Sequence, residues 1–295
     1  MTETLRSSGS VSAAVALSRV LGLARMSIFS RLLGAGALAD AYSVAFRIPN
    51  LLRDLLAEGA LASAFVPTFT AAHQRSEADA RALADLVASA LLLLTGLLTL
   101  LGVVYAEAIV LAITDGWGPA KVAQTAALAR LMMPILALVS LGAVWMGVLN
   151  ARRHYARAAL APALFNLVSI AVGVALWLLG VDGEAAVTGW SVGTLAAGAA
   201  QTLYQLPALW RLGYRPRLRL RGLLHDPDLR RIVRLMLPAV AGVAAVQLNV
   251  FVNTRFAASL GDGPVAQLEY AFRIFFLPIG VFGVALATVT ATRVS

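Results

Sequence analysis

The sequence predicts an all-α protein, a polytopic membrane helical bundle of about eight transmembrane helices. Three observations predict it. Hydrophobic residues make up 60% of the 295-residue chain and charged residues only 13%, against about a quarter charged in a soluble domain. Eight apolar segments reach the roughly 20 residues that a helix needs to cross a bilayer. The arginines between those segments fall in alternate loops and so on one side of the membrane, as the positive-inside rule requires.

The first segment, 9–33, is apolar but contains Arg19, Arg25 and Arg31, unlike the short uncharged core of a cleavable signal. The second, 38–70, opens near Asp40 and contains Arg47 and Arg53. Segments 83–113, 157–179 and 185–207 are almost free of charge, and 122–149 contains Arg130. The last two, 232–259 and 265–291, contain Arg255 and Arg273.

Orientation follows from the loops. With the N-terminus inside, the cytoplasmic side receives Arg6, Arg75 and Arg81, then Arg152, Arg153 and Arg157, then eight arginines between Arg211 and Arg234, and Arg293. The opposite loops contain only Lys121 among basic residues, beside Asp115, Asp182, Glu184 and Asp262. The predicted location is the inner (cytoplasmic) membrane, multi-pass, with a cytoplasmic N-terminus.

Eight basic residues remain within or near the spans. An arginine at mid-bilayer costs roughly 2.5–3.5 kcal/mol on insertion scales, so a cluster of them points to a shared polar interior. For Arg31, Arg130 and Arg255, near span ends, snorkelling to the headgroups is the favoured account. Arg19, Arg25, Arg53 and Arg273 are read as facing a cavity.

An internal repeat supports that reading. Ala45-Phe46-Arg47-Ile48 recurs as Ala271-Phe272-Arg273-Ile274, 226 residues later. Each copy follows an arginine and a glycine turn: Arg31 with Leu33-Gly34-Ala35-Gly36, and Arg255 with Leu260-Gly261-Asp262-Gly263. Six spans separate the copies, so both point the same way across the membrane. Secondary transporters are often built from such parallel repeats, with the substrate between them. The expected domains are a first six-helix lobe, 1–207, a basic cytoplasmic linker, 208–231, and the first two helices of an incomplete second lobe, 232–295. Two full lobes need at least twelve spans, so the chain reads as a fragment, with a partner chain or a degenerate gene as alternatives.

The absence of cysteine excludes disulfides and thiolate metal sites. His73, His154 and His225 lie in short polar stretches and read as solvated loop residues. No metal site or cofactor is expected, and no cluster of His, Asp and Glu suggests an acid, a base or catalysis. Nucleic-acid binding by the arginine-rich linker is excluded by the adjoining spans. Part of that linker is expected to lie as an amphipathic helix on anionic membrane lipids.

At the second segment the chain reaches a specific pattern. The run Ala45-Phe46-Arg47-Ile48-Pro49-Asn50-Leu51-Leu52-Arg53, continuing through Ala57-Glu58-Gly59-Ala60 to Ala64-Phe65-Val66-Pro67, resembles the signature of the MviN/MurJ lipid II flippases. Ser18-Arg19-Val20-Leu21-Gly22-Leu23-Ala24-Arg25, Asp40-Ala41, Tyr204-Gln205-Leu206-Pro207 and Pro278-Ile279-Gly280-Val281-Phe282-Gly283 agree with it. The resemblance implies the multidrug/oligosaccharidyl-lipid/polysaccharide exporter fold, two six-helix lobes around a central cavity. It implies a transporter, not an enzyme, that moves lipid II, an undecaprenyl-diphosphate-linked peptidoglycan precursor, to the outer leaflet by alternating access. Arg19, Arg25, Arg53 and Arg273 match positions associated with substrate, and Asp40 matches one associated with function. Met26 and Phe276 stand where many members have an acidic residue, so pairing assigned to those positions does not carry over.

The chemistry suits that substrate, because a guanidinium stays ionised and can pair phosphate oxygens bidentately. Arg19 and Arg25, six apart on one helix, can contact different parts of a diphosphate-sugar, or one can face the cavity while the other pairs with Asp40. Asp40 can instead cap its own helix. Glu58 is read as charge-pairing or gating, or as a local partner for Arg53. Pro49, Pro134, Pro238 and Pro278 are expected to bend their helices. Gly22, Gly34, Gly36, Gly59, Gly280 and Gly283 are expected to allow close helix packing. The alternatives to a lipid II flippase are another exporter of the same superfamily, a membrane enzyme acting on the same lipid, and a non-transporting remnant.

Overall fold

The computed structural model describes residues 2–57 and 59–275, with side chains from Ala13 onward. Glu58, Phe276, Pro278, Gly280 and Gly283 lie outside the described residues. The helices are α1 (Thr2–Leu33), α2 (Ala37–Leu56), α3 (Ala60–Arg75), α4 (Glu77–Val104), α5 (Ala106–Ile113), α6 (Pro119–Met132), α7 (Ile135–Ala151), α8 (Tyr155–Leu178), α9 (Gly183–Leu203), α10 (Leu206–Arg211) and α11 (Pro227–Ala258). A further helix, α12, begins at 264 and is described to 275. The protein is all-α, with no strand among the described residues.

Three predicted spans are each two helices end to end. The second breaks between α2 and α3, where Gly59 takes a positive φ of 52°. The third breaks at Tyr105 and the fourth at Met133–Pro134. Pro134 has no N–H to continue the helical ladder and its ring crowds the preceding turn. Pro49 and Pro238 sit inside α2 and α11 without ending them.

Six helical runs among the described residues are long and apolar enough to cross a membrane. Segment 185–207 forms α9 but is not among the six, because it is built from Gly, Ala, Ser and Thr. Its Ala186, Val187, Trp190, Thr194 and Ala197 are buried by neighbouring helices, so little of it needs to satisfy lipid. The eighth segment runs mostly beyond the described residues. On α4, by contrast, Leu93, Leu97, Leu100 and Val104 are exposed, as a lipid-facing stripe requires.

Two buried clusters hold the bundle. One gathers Phe29, Tyr42, Met132, Leu136 and Trp190, together with Val265 and Ala266 of α12. The other gathers Phe65, Leu86, Trp145, Leu149 and Leu209, together with Leu229 and Ile232 of α11. Thus α11 and α12 complete both clusters rather than standing apart. The α1–α8–α9 packing is closest at Gly173, where a Cβ would meet Trp190 at 2.4 Å and Ile28 at 2.6 Å. Of the glycines predicted to pack, Gly22 faces Asn166 of α8, 3.7 Å from where a Cβ would stand, whereas nothing lies within 4 Å of a Cβ at Gly34, Gly36 or Gly59.

Part of the linker is helical, since α10 ends at Arg211 and α11 begins at Pro227, but residues 214–220 between them form no helix and run along α4. The N–H groups of Arg217 and Arg219 donate to Asp85 Oδ1 (3.0 Å) and Ser89 Oγ (2.7 Å), and the Tyr214 hydroxyl donates to Asp85 at 2.8 Å. Alternation of Arg and Leu from 217 to 221, after Pro216, has period two, the strand period, and therefore cannot make a helical stripe. Burial, reinforced by the Asp85 carboxylate, pushes the Tyr214 phenol above its ordinary range.

The charges sort to opposite ends of the helices. Arg75 pairs with Asp228, and Glu77 with Arg81 and Arg152, at one end. Lys121, Asp40, Asp262, Arg255 and Asp115 meet at the other.

Candidate functional site

α1, α2, α11 and α12 enclose a cavity of about 190 Å³. Arg25, Arg47 and Arg273 line it from α1, α2 and α12, with Asp54 and Glu269 as the acidic residues of its wall. A second cavity of about 560 Å³ is lined by Arg19, Asn166 and Asn249 and shares Arg47, Glu269 and Arg273 with the first.

Arg25 is the most sequestered of these cations, at 7% exposed. Its guanidinium lies 5.5 Å from the Phe165 ring centroid. Its Nε is buried and has no hydrogen-bond partner. A buried, unpaired donor on a charged group is costly.

Arg47 and Arg273 meet on one carboxylate. Arg47 Nη2 lies 2.7 Å from Glu269 Oε2, and Arg273 Nη2 lies 3.7 Å from Glu269 Oε1. Arg47 also donates to the Thr254 hydroxyl of α11. The two arginines occupy equivalent positions of the internal repeat, so folding brings together residues 226 apart. Deeper along α2, Asp54 accepts from Arg53 (2.8 Å) and from Gln247 of α11 (3.0 Å).

Of the predicted substrate residues, Arg25 and Arg273 line the first cavity and Arg19 and Arg273 the second. Arg53 lies beside them and is paired with Asp54. Neither Arg19 nor Arg25 pairs with Asp40. That residue does not cap its own helix either, since α2 has Gly36 as its N-cap with no side-chain cap bond. Fully buried, Asp40 accepts from Lys121 Nζ (3.1 Å) and from the backbone of Gly263 (2.7 Å) and Ala266 (2.8 Å), and so caps α12. Lys121 also reaches Asp262 at 2.7 Å and lies 3.7 Å from the Trp117 ring centroid.

The two glycine turns of the repeat touch at this end of the bundle. Tyr270 donates to Gly34 O at 2.6 Å, and a Cβ on Gly263 would stand 2.4 Å from Ala35 O. Arg255, read as snorkelling, is half exposed at its span end and binds Ala112 O at 2.8 Å and Asp115 at 3.3 Å. Arg130 donates to Val103 O. Sequence reasoning missed Arg47, Glu269, Thr254 and Lys121. The repeat was the signal for Arg47, because its partner Arg273 was already assigned. No group of three or more His, Cys, Asp or Glu among the described residues could hold a metal ion.

Comparison with known proteins gives a consistent result. A family profile described as "Lipid II flippase MurJ" matches residues 29–295. "Probable lipid II flippase MurJ" of Rhizobium meliloti is 37% identical over 285 residues, 92% of this chain and 51% of its own length. "Lipid II flippase MurJ" of Burkholderia cenocepacia is 35% identical over 294 residues, 97% of this chain and 56% of its own. The chain therefore spans about half the length of the curated relatives it matches. Among solved structures, "Lipid II flippase MurJ, inward closed conformation" superposes with a TM-score of 0.78 at 23% identity, over 95% of this chain and 57% of that one. A MATE transporter, "Crystal structure of MATE in complex with MaD3S", superposes with a TM-score of 0.67 at 22% identity, over 97% and 63%. These two likenesses establish the fold. The sequence matches go further, and this multi-pass membrane protein belongs to the MurJ lipid II flippase family.

Proposed function

We propose that the chain forms the substrate-binding half of a transporter moving lipid II from the inner to the outer leaflet of the cytoplasmic membrane, its diphosphate held by cavity arginines. One observation carries this reading: Arg25, Arg47 and Arg273 converge from three helices on one cavity, with the Arg25 Nε buried and unpaired. Guanidinium groups in a water-poor site bind phosphate oxygens by charge-assisted pairs that hydrocarbon cannot offer. Arg53 supplies further positive charge beside the site, and Arg19 reaches the larger cavity, where Asn166 and Asn249 offer amides to a polar headgroup.

In this reading residues 1–207 are the first lobe, 208–231 the linker and 232–295 the start of the second lobe. Val233, Leu237, Val246, Leu248, Val252 and Phe256 of α11 are exposed, an apolar face suited to further second-lobe helices. The N-terminus is cytoplasmic, which places Arg75, Arg152 and the linker arginines inside and the Asp40–Lys121–Asp262 cluster outside. That outer cluster closes the cavity at the extracytoplasmic end and must part for release during alternating access.

The test is translocation of lipid II in cells depleted of their own flippase, comparing this chain joined to the remaining second-lobe helices with its Arg25→Glu and Arg273→Glu variants. Both variants insert normally and lose translocation. Normal translocation by both defeats the cavity assignment.

A further inference from the structure

Glu269 stands where an anion would be expected to sit. Its two oxygens face two guanidiniums, Arg47 from α2 and Arg273 from its own helix one turn later, at 2.7 and 3.7 Å. A diphosphate has oxygens enough to engage both guanidiniums in the same way, by charge-assisted pairs. The Arg47 side chain is largely buried while Glu269 is about one-third exposed, so the carboxylate has a path out of the pair that the arginine lacks. Both cavities border the trio, and Thr254 fixes the second arm of Arg47 whether or not Glu269 remains.

The charge balance explains why such a carboxylate is present. Arg25, Arg47 and Arg273 share one cavity, and Arg53 lies within electrostatic reach of Arg25. Asp54 is drawn toward Arg53 and Gln247. Without Glu269 the empty cavity would set Arg47 and Arg273 against Arg25 with no shared counter-ion, at low dielectric. Glu269 also lies at a position different from Met26 and Phe276, where many relatives have an acidic residue.

We infer that Glu269 is a resident counter-ion occupying the anion seat between Arg47 and Arg273, and that a diphosphate ligand binds by displacing it. The carboxylate holds both arginines in place while the cavity is empty and competes with the ligand for them. It thereby limits affinity and favours release. Arg47 is then a direct anion ligand equivalent by repeat to Arg273, and Glu269 a positioning residue. The inference rests on the diphosphate-binding reading above.

The opposed effects of a competitor and a prop make it testable. The full chain in nanodiscs is titrated with farnesyl diphosphate and, separately, inorganic pyrophosphate. Glu269→Gln, which keeps hydrogen bonds but removes charge, is expected to bind farnesyl diphosphate about fivefold or more tightly. Arg47→Gln and Arg25→Gln should bind more weakly. A parent-like melting temperature in Glu269→Gln shows that its fold is intact. Weaker or unchanged binding by Glu269→Gln, with Arg25→Gln still impaired, overturns the competitor role and leaves the substrate reading standing. Parent-like binding by both Arg25→Gln and Arg47→Gln overturns both.

Discussion

Asp40 and Ala266 are 226 residues apart, yet the Asp40 carboxylate accepts the Ala266 N–H at 2.8 Å and caps the helix that bears Arg273. A carboxylate at a helix N-terminus satisfies free donors and meets the positive end of the dipole. Here donor and acceptor come from different copies of the repeat, so a capping bond becomes a latch between them. Lys121, spanning Asp40 and Asp262, completes it.

Removing the latch should loosen α12. Asp40→Ala leaves Lys121 without its buried partner and strands two amide donors, a loss of about 3 kcal/mol on the scale of broken buried pairs. Hydrogen exchange at Gly263 and Ala266 is the measure. It should accelerate by about a hundredfold, and Asp40→Asn, which keeps an acceptor oxygen, should fall between the two.

Gly263→Ala should open the same end by a different route. Its φ of +110° is strained for any residue with a Cβ, and that Cβ would press on the Ala35 carbonyl at 2.4 Å. The cost is about 2 kcal/mol. Hydrogen exchange at Ala266 should accelerate in Gly263→Ala, and parent-like exchange speaks against the close contact.

Arg25→Met should separate stability from function. A buried guanidinium with an unpaired Nε is held against its own desolvation, so an isosteric apolar side chain raises thermal stability, by about 1–2 kcal/mol. The same variant should lose binding of farnesyl diphosphate. A lower melting temperature would show that Arg25 is a structural prop.

The linker should detach when Asp85 is lost. Asp85→Ala removes the acceptor for Tyr214 and Arg217, and tryptic cleavage after Arg217, Arg219 and Arg221 should rise by about tenfold. Alkaline pH should do the same. The docked phenol is held above its ordinary value of 10, by burial first and then by Asp85. Neutral Tyr214 therefore stabilises docking fully below pH 10. As pH rises through 10 the detached linker ionises first, and docking weakens with each further step. Tyr214→Phe should remove this alkaline dependence of the cleavage rate.

Much of the fold was legible because lipid imposes simple rules. Apolar length marks the spans and arginine placement sorts their ends. The rules do not mark where protein, not lipid, surrounds a helix: α9, predicted as a span, is buried by its neighbours and can be built from small polar residues. Nor do they find 214–220, where the linker backbone is fastened to Asp85 and Ser89. Gly34 and Gly36, taken as packing positions, have open space where a side chain would be.

By itself the sequence determined the all-α class, the family, the repeat and the presence of arginines too costly to bury without purpose. Those are properties of composition and order along the chain. Which cations share a cavity, and which acid answers each of them, was decided only in three dimensions. Asp40 passes over every arginine for Lys121 and the amides of α12, and Glu269 joins Arg47 to Arg273. Pairings such as Arg47 with Glu269, 222 residues apart, depend on distances between helices, and electrostatic energy falls with that distance rather than with separation in sequence.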